Sequence, residues 1–219
     1  MSQSQLAGNG VDLVRERALA RSVQRALERL YQIDEGPDVH AFVQPAMEGE
    51  RESLLLRQGE DGVLEMALHL PAFVRAPAKD GGDAGSELGL DALCQLIEGV
   101  SHFVYVAERA RLDREATQLE LEVQAEVDKY VVLLASTGDP NVARSGALRA
   151  RLYEQVHFRH VEGSEPGERY RVANDTAAKL ARRLEREFIA PRRIAKMRDE
   201  LRLFYRMGQE DKLRYARMT

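Results

Sequence analysis

From Leu90 to Ala135 the chain holds most of its candidate core positions, and the spacing of those positions changes halfway along. Leu90, Leu93, Ile97, Val100, Val104 and Ala107 recur three and four residues apart, which places them on one face of a helix. From Gln118 to Asp128 polar and apolar residues alternate, with Leu119, Leu121, Val123, Ala125 and Val127 on one parity, the period of a half-buried strand. Leu, Glu, Gln and Ala nevertheless favour helix. As a helix the segment carries Leu119, Val123, Val127, Tyr130 and Leu134 on one face, with Leu121 and Ala125 on a second, as a helix inside a bundle does.

No Gly or Pro falls between Gly99 and Gly138. The stretch therefore either runs as one spine of roughly 69 Å at 1.5 Å per residue, or bends near Leu112 to Thr117 and folds back. Thr117 followed by Glu120 fits a capping box at a new helix start.

Upstream, residues to about Gly10 are small and polar and read as disordered, and Asp12 caps a helix over Val11 to Tyr31, with Leu19, Val23, Leu27 and Leu30 inward. Gly36 to Pro45, with two prolines, reads as irregular or one short turn. Glu52 to Leu70 reads as a hairpin, because SLLLRQ and VLEMALHL flank GEDG. Ala76 to Glu87 is a flexible Gly-rich connector.

Downstream, Asn141 to about Glu154 is a short helix. Gln155 to Val172 reads as a second hairpin around Pro166-Gly167. Asp175 caps a helix through Leu184 and Phe188, and Pro191 opens a last one that Gly208 stops. The expected fold is α+β and mainly helical: a long central helix, straight or bent, an N-terminal helix, two β-hairpins and a C-terminal helical pair.

Composition adds a boundary. The chain has 219 residues, 44% of them hydrophobic, and a net charge of −4. From Arg169 onward there are 15 Lys+Arg against 7 Asp+Glu, a net of +8, which leaves 17 against 29, a net of −12, in the first 168 residues. Residues 11–172 thus read as an acidic α+β core domain with its loop at 76–87, and 173–219 as a basic helical segment packed on it or on a partner. The single cysteine, Cys94, excludes an internal disulfide and reads as an inert thiol in the helix. With no secretory signal and no membrane-length apolar run, a cytoplasmic location off the membrane is expected.

The sharpest chemical constellation is Glu98, His102, Tyr105 and Arg109, which fall within about 60° on the first central helix. They are the candidate catalytic residues, since a carboxylate one turn before an imidazole tunes its basicity; the alternative is an exposed helix edge. Glu122 and Glu126 lie one turn apart, and Glu126 enters the apolar stripe, so it needs a partner, Lys129 or an arginine from the C-terminal helices. Glu154 and His157 have the E-x-x-H spacing of carboxylate-bridged di-iron bundles. With Glu122, Glu126 and His160 they form the candidate metal ligands, although the motif occurs once where such bundles carry it twice. Arg192, Lys196, Arg198, Arg202 and Arg206 form basic rows fit for phosphates, with Tyr205 and Tyr215 for stacking, or for pairing with the acidic body. No P-loop, dinucleotide fingerprint, nucleophile elbow or zinc-protease motif is present, and the sequence names no cofactor.

The leading functional expectation is a non-enzymatic interaction or scaffold protein, a homodimer formed through the central helix. A second class is a metal-binding protein or enzyme centred on Glu98, His102, Glu122 and Glu126. A third is a nucleic-acid-binding module.

Overall fold

A computed structural model describes residues 13–34, 36–59, 64–71, 89–156 and 158–218. Among them are seven helices and one three-stranded sheet. The expected disordered N-terminus, the Asp12 cap, the Asp61-Gly62 turn, the 76–87 connector and His157 lie outside the described residues.

The central stretch is two helices, α2 (Leu90–Arg111) and α3 (Gln118–Ser136), packed against each other. A single straight spine is corrected to a hairpin, and its turn has visible causes. The Leu112 N–H bonds back to the Glu108 and Arg109 carbonyls, Asp113 takes a left-handed φ of 51°, and the Thr117 hydroxyl accepts the Glu120 N–H at 3.1 Å. Asp tolerates the left-handed region better than most residues, and the threonine satisfies a free amide of the new helix. The alternation from Gln118 to Asp128 is helical, and both stripes of α3 are buried: Val123, Val127, Tyr130 and Leu134 on one, Ala125 on the other.

Helix α1 (Val14–Tyr31) lies on α2, with Ala20, Leu27 and Tyr31 buried. A 3₁₀ turn at Val39–Ala41 leads into a strand missed by sequence, β1 (Val43–Pro45), within the segment read as irregular. Strands β2 (Ser53–Gln58) and β3 (Leu64–Leu70) pair antiparallel, Ser53 opposite His69 and Gln58 opposite Leu64, as the first hairpin requires. β1 pairs parallel with the other edge of β3, so the order is β1-β3-β2. The sheet rests on α2 through Leu68 and Leu70. Gly99 permits that approach, for a Cβ there would sit 2.8 Å from Leu68 Cδ1.

After α4 (Val142–Arg149), which ends in a wider π turn at Ala150–Glu154, the second expected hairpin is absent. The second half of that segment, from Glu165, belongs to α5 (Glu165–Leu184), which also ends in a π turn, at Glu185–Ile189. Ser164 caps α5 by accepting the Gly167 N–H at 3.2 Å, and Pro166 occupies the first turn, where its missing N–H costs nothing. Gly167 answers packing rather than a β-turn, because a Cβ there would lie 2.3 Å from the Val161 carbonyl oxygen. Asp175 is consequently inside α5, paired with Lys179 at 2.6 Å, and the 172/173 compositional boundary falls within that helix.

Helix α5 packs against α3 and against the last helix of the described residues, with Ala173, Ala177, Leu180, Ala181 and Leu184 buried, and its small residues permit a close approach. The C-terminal pair of helices is corrected to α5, α6 (Ile194–Arg206) and a further helix past Gly208, α7 (Gln209–Arg217). No helix among the described residues is long and apolar enough to cross a membrane.

Candidate functional site

Folding the central stretch back brings together carboxylates that one straight helix would hold far apart. Glu98 on α2 and Glu126 on α3 both accept from Lys129 Nζ, at 3.0 and 2.7 Å. His102 lies one turn from Glu98, with Nε2 3.9 Å from Glu122 Oε2, and Arg169 of α5 approaches the other Glu122 oxygen at 4.0 Å. Glu52, just before β2, shares a hydrogen bond with the Glu98 carboxyl. Four carboxyl groups from three parts of the chain thus gather in one cluster, two of them on Lys129, with Arg169 at the edge.

The four candidates on the α2 edge separate into two groups. Glu98 and His102 join this cluster, whereas Tyr105 and Arg109 both contact Glu120, Arg109 also donating to the Tyr105 hydroxyl at 2.7 Å and to the Met207 carbonyl at 3.3 Å. Of the candidate metal ligands, Glu122 and Glu126 are in the cluster. Glu154 pairs with Arg149 and Arg182 on the surface. His160 is exposed and stacks on Tyr170, ring centroids 5.2 Å apart. Among the described residues no three His, Cys, Asp or Glu side chains are arranged to hold a metal ion, and Lys129 Nζ sits between Glu98 and Glu126 where a cation would.

The cluster opens onto a cavity of about 830 Å³. Its floor is Glu52, Glu98, Glu126 and Lys129, and Cys94, Leu90 and Asp91 continue the α2 side. Tyr170 and Asn174 of α5 form the facing wall. The segment between α4 and α5 supplies the roof, with Val156, Phe158, Arg159 and His160 next to Arg151 of the π turn. Glu98 and Lys129 are only 7% and 8% exposed.

Burial and crowding set the protonation of the floor. Burial, with the Glu98 charge and its hydrogen bond, pushes Glu52 up to about 9, so it holds a proton at neutral pH. Burial and Glu98 raise Glu122 to about 7, and burial raises Glu126. Glu98 goes the other way: burial opposes its charge, but the Lys129 ammonium and its hydrogen bond hold it below the usual carboxylate range. Burial opposes the Lys129 charge too, yet Glu126 and Glu98 raise it, so it stays an ammonium rather than a nucleophile. Burial lowers His102, keeping it neutral, and raises the Cys94 thiol to about 11, consistent with an unreactive sulfur.

A second polar group lies inside the bundle. Asp128 accepts from the Tyr31 hydroxyl, from Ser101 Oγ at 2.6 Å and from Gln124 Nε2 at 2.9 Å, while Lys212 of α7, wholly buried, donates to Gln124 Oε1 at 2.5 Å. The Lys212 ammonium faces the rings of Phe204 and Tyr105 at 4.6 and 5.1 Å. The group joins α1, α2, α3 and α7.

The basic C-terminal rows are partly occupied. Arg192 pairs with Asp139 at 3.3 Å, and Arg202 donates to the Leu30 carbonyl at 2.8 Å and to Asp199 at 2.9 Å. Lys196, Arg198 and Arg206 are exposed and make no ion pair among the described residues. Tyr205 is buried against Tyr31, with ring centroids 4.1 Å apart, and the Arg183 guanidinium lies over the Tyr215 ring at 4.6 Å, so each ring already has a face covered.

Glu52, Tyr170, Arg151 and Arg169 were not singled out by sequence. The i,i+3 relation of Glu126 and Lys129 was legible, whereas Glu52 is 46 positions before Glu98 and reaches it only through the sheet. No protein family, no curated protein and no solved structure matches this chain.

Proposed function

We propose that this chain is a small-molecule-binding protein whose site is the cavity beneath the α4–α5 segment. One observation carries the reading: Glu98 and Lys129, each more than nine-tenths buried, stand on the wall of a cavity of about 830 Å³ instead of inside packed core. A buried ion pair is a weak way to hold a fold, because apolar residues of the same volume commonly serve as well. Convergent charges with shifted protonation in a cavity of this size are what a polar ligand requires. Glu52, protonated, and Glu98, ionised, give the site one acid and one base in contact, an arrangement suited to proton exchange with whatever binds.

The test is thermal denaturation of the full chain against a broad set of small metabolites, with manganese, iron and zinc ions in the same set. A ligand at one hundred times its Kd adds about 2.7 kcal/mol of stability, a shift of several degrees. Leu90→Trp, at the half-buried first residue of α2, fills the cavity and should abolish the shift. No stabilisation by any compound, or an equal shift in the filled variant, would remove the reading. Stabilisation by a metal ion alone would favour the metal-binding alternative at Glu122 and Glu126.

A self-associating scaffold is a second reading, favoured by the exposed Leu55 and Leu56 on β2, which is an edge of the sheet among the described residues. The supporting surface differs from the expected one, since the apolar face of α2 is filled from within the chain.

A further inference from the structure

The charges around the cavity do not balance locally, and the imbalance has a direction. At the floor, the Lys129 ammonium is shared by Glu98 and Glu126, so two carboxylates face one fixed cation, with Glu52 hydrogen-bonded beside them. At the mouth, Arg51 is already paired with Asp91 at 3.3 Å. Arg151 and Arg159, both lining the cavity, make no ion pair among the described residues. The floor lacks a cation, and the two exposed arginines of the roof lack an anion. Leu90, Leu152 and Phe158 add apolar lining to the same cavity.

Resting on the cavity being a ligand site, we infer that its ligand is a small zwitterion. Its ammonium is held on Glu52, Glu98 and Glu126, and its anionic group, carboxylate or phosphate, by Arg151 and Arg159. A purely cationic ligand leaves the two arginines uncompensated, and a purely anionic one would bring its charge toward the carboxylate floor. An ammonium against the Glu52–Glu98 pair also displaces the proton that the two share, so binding at neutral pH releases a proton to the buffer.

Isothermal titration calorimetry on the full chain tests this with ω-amino acids from glycine to 8-aminooctanoate, phosphoethanolamine, and the unsubstituted amine and acid of each chain length. At least one zwitterion should bind tenfold or more tightly than its matched amine and its matched acid. Its heat should depend on the ionisation enthalpy of the buffer, as proton release requires. Arg151→Ala with Arg159→Ala, two exposed positions whose loss leaves the core intact, should weaken the zwitterion to the level of the amine and leave the amine unchanged. Glu98→Gln should weaken amine and zwitterion alike. Equal affinity for amine and zwitterion, preference for the plain acid, or no binding by any member of the series overturns the inference. A ligand of one charge sign found in the broad thermal screen overturns it as well, while leaving the cavity reading standing.

Discussion

Glu52 gains a proton on folding, because burial and the neighbouring Glu98 take it from an ordinary 4.5 to about 9. Between those values the native chain binds more protons than the unfolded one, so this group makes stability fall as pH rises through that window. Glu122, raised to about 7, and Asp128, raised by burial from 3.8 to about 6, act in the same direction over their own windows. Lys212 acts oppositely: burial lowers it from 10.5 to about 7, the unfolded chain binds more protons between those values, and stability rises with pH there. Glu52→Gln should therefore flatten the melting temperature against pH from 4.5 to 9 and give a more stable protein than the parent at pH 8.5. Parallel curves for variant and parent would contradict the assignment. Lys212→Met should lose ground to the parent steadily from pH 7 to 10, and a constant difference over that range would show that Lys212 does not titrate there. Neither behaviour was legible in the sequence, since protonation depends on which carboxyls meet, and Glu52 meets Glu98 only after the sheet docks on α2.

Helix boundaries were legible where one signal spoke alone and illegible where two competed. Thr117 and Glu120 stand before an uninterrupted helical segment, and the threonine half of the capping box is present, while the Glu120 carboxylate turns to Tyr105 and Arg109 instead of the Thr117 amide. At Ser164 the same kind of cap precedes Pro166-Gly167, a dipeptide that also marks a β-turn, and the flanking β-compatible residues favour the wrong reading. What decides between them is tertiary: the Val161 carbonyl packs against Gly167, and α5 has an apolar face that α3 covers. Ser164→Ala should cost about 1 kcal/mol, the usual loss for an N-cap hydroxyl. Gly167→Ala should cost about 1–3 kcal/mol, since its Cβ meets backbone rather than a side chain that can swing away. Chemical denaturation reads both. A neutral Gly167→Ala would mean that the segment over the cavity shifts freely, and the roof would then impose no shape on a ligand.

At the scale of the whole molecule, the length of the central stretch was the reason to expect a dimer, and the hairpin changes what that length implies. A straight helix would expose an apolar stripe for a second subunit. Folded at Leu112 to Thr117, α2 and α3 cover each other, α1 and β3 cover further parts of α2, and α5 covers α3. Val104 shows the consequence, at 5% exposure within the chain's own core. A glutamate placed there is forced into a position the core covers, and burying a carboxylate costs several kcal/mol, on the order of the whole stability of a domain. Val104→Glu should therefore abolish cooperative unfolding in circular dichroism, rather than release folded monomers. Leu55→Lys with Leu56→Lys, on exposed positions of β2, should leave the melting transition in place, and light scattering should show a halved mass if copies meet along that edge. A parent that is monomeric across the micromolar range would remove self-association altogether. Folded Val104→Glu monomers from a dimeric parent would instead return the interface to the central helix and show that the α2 face is shared between copies.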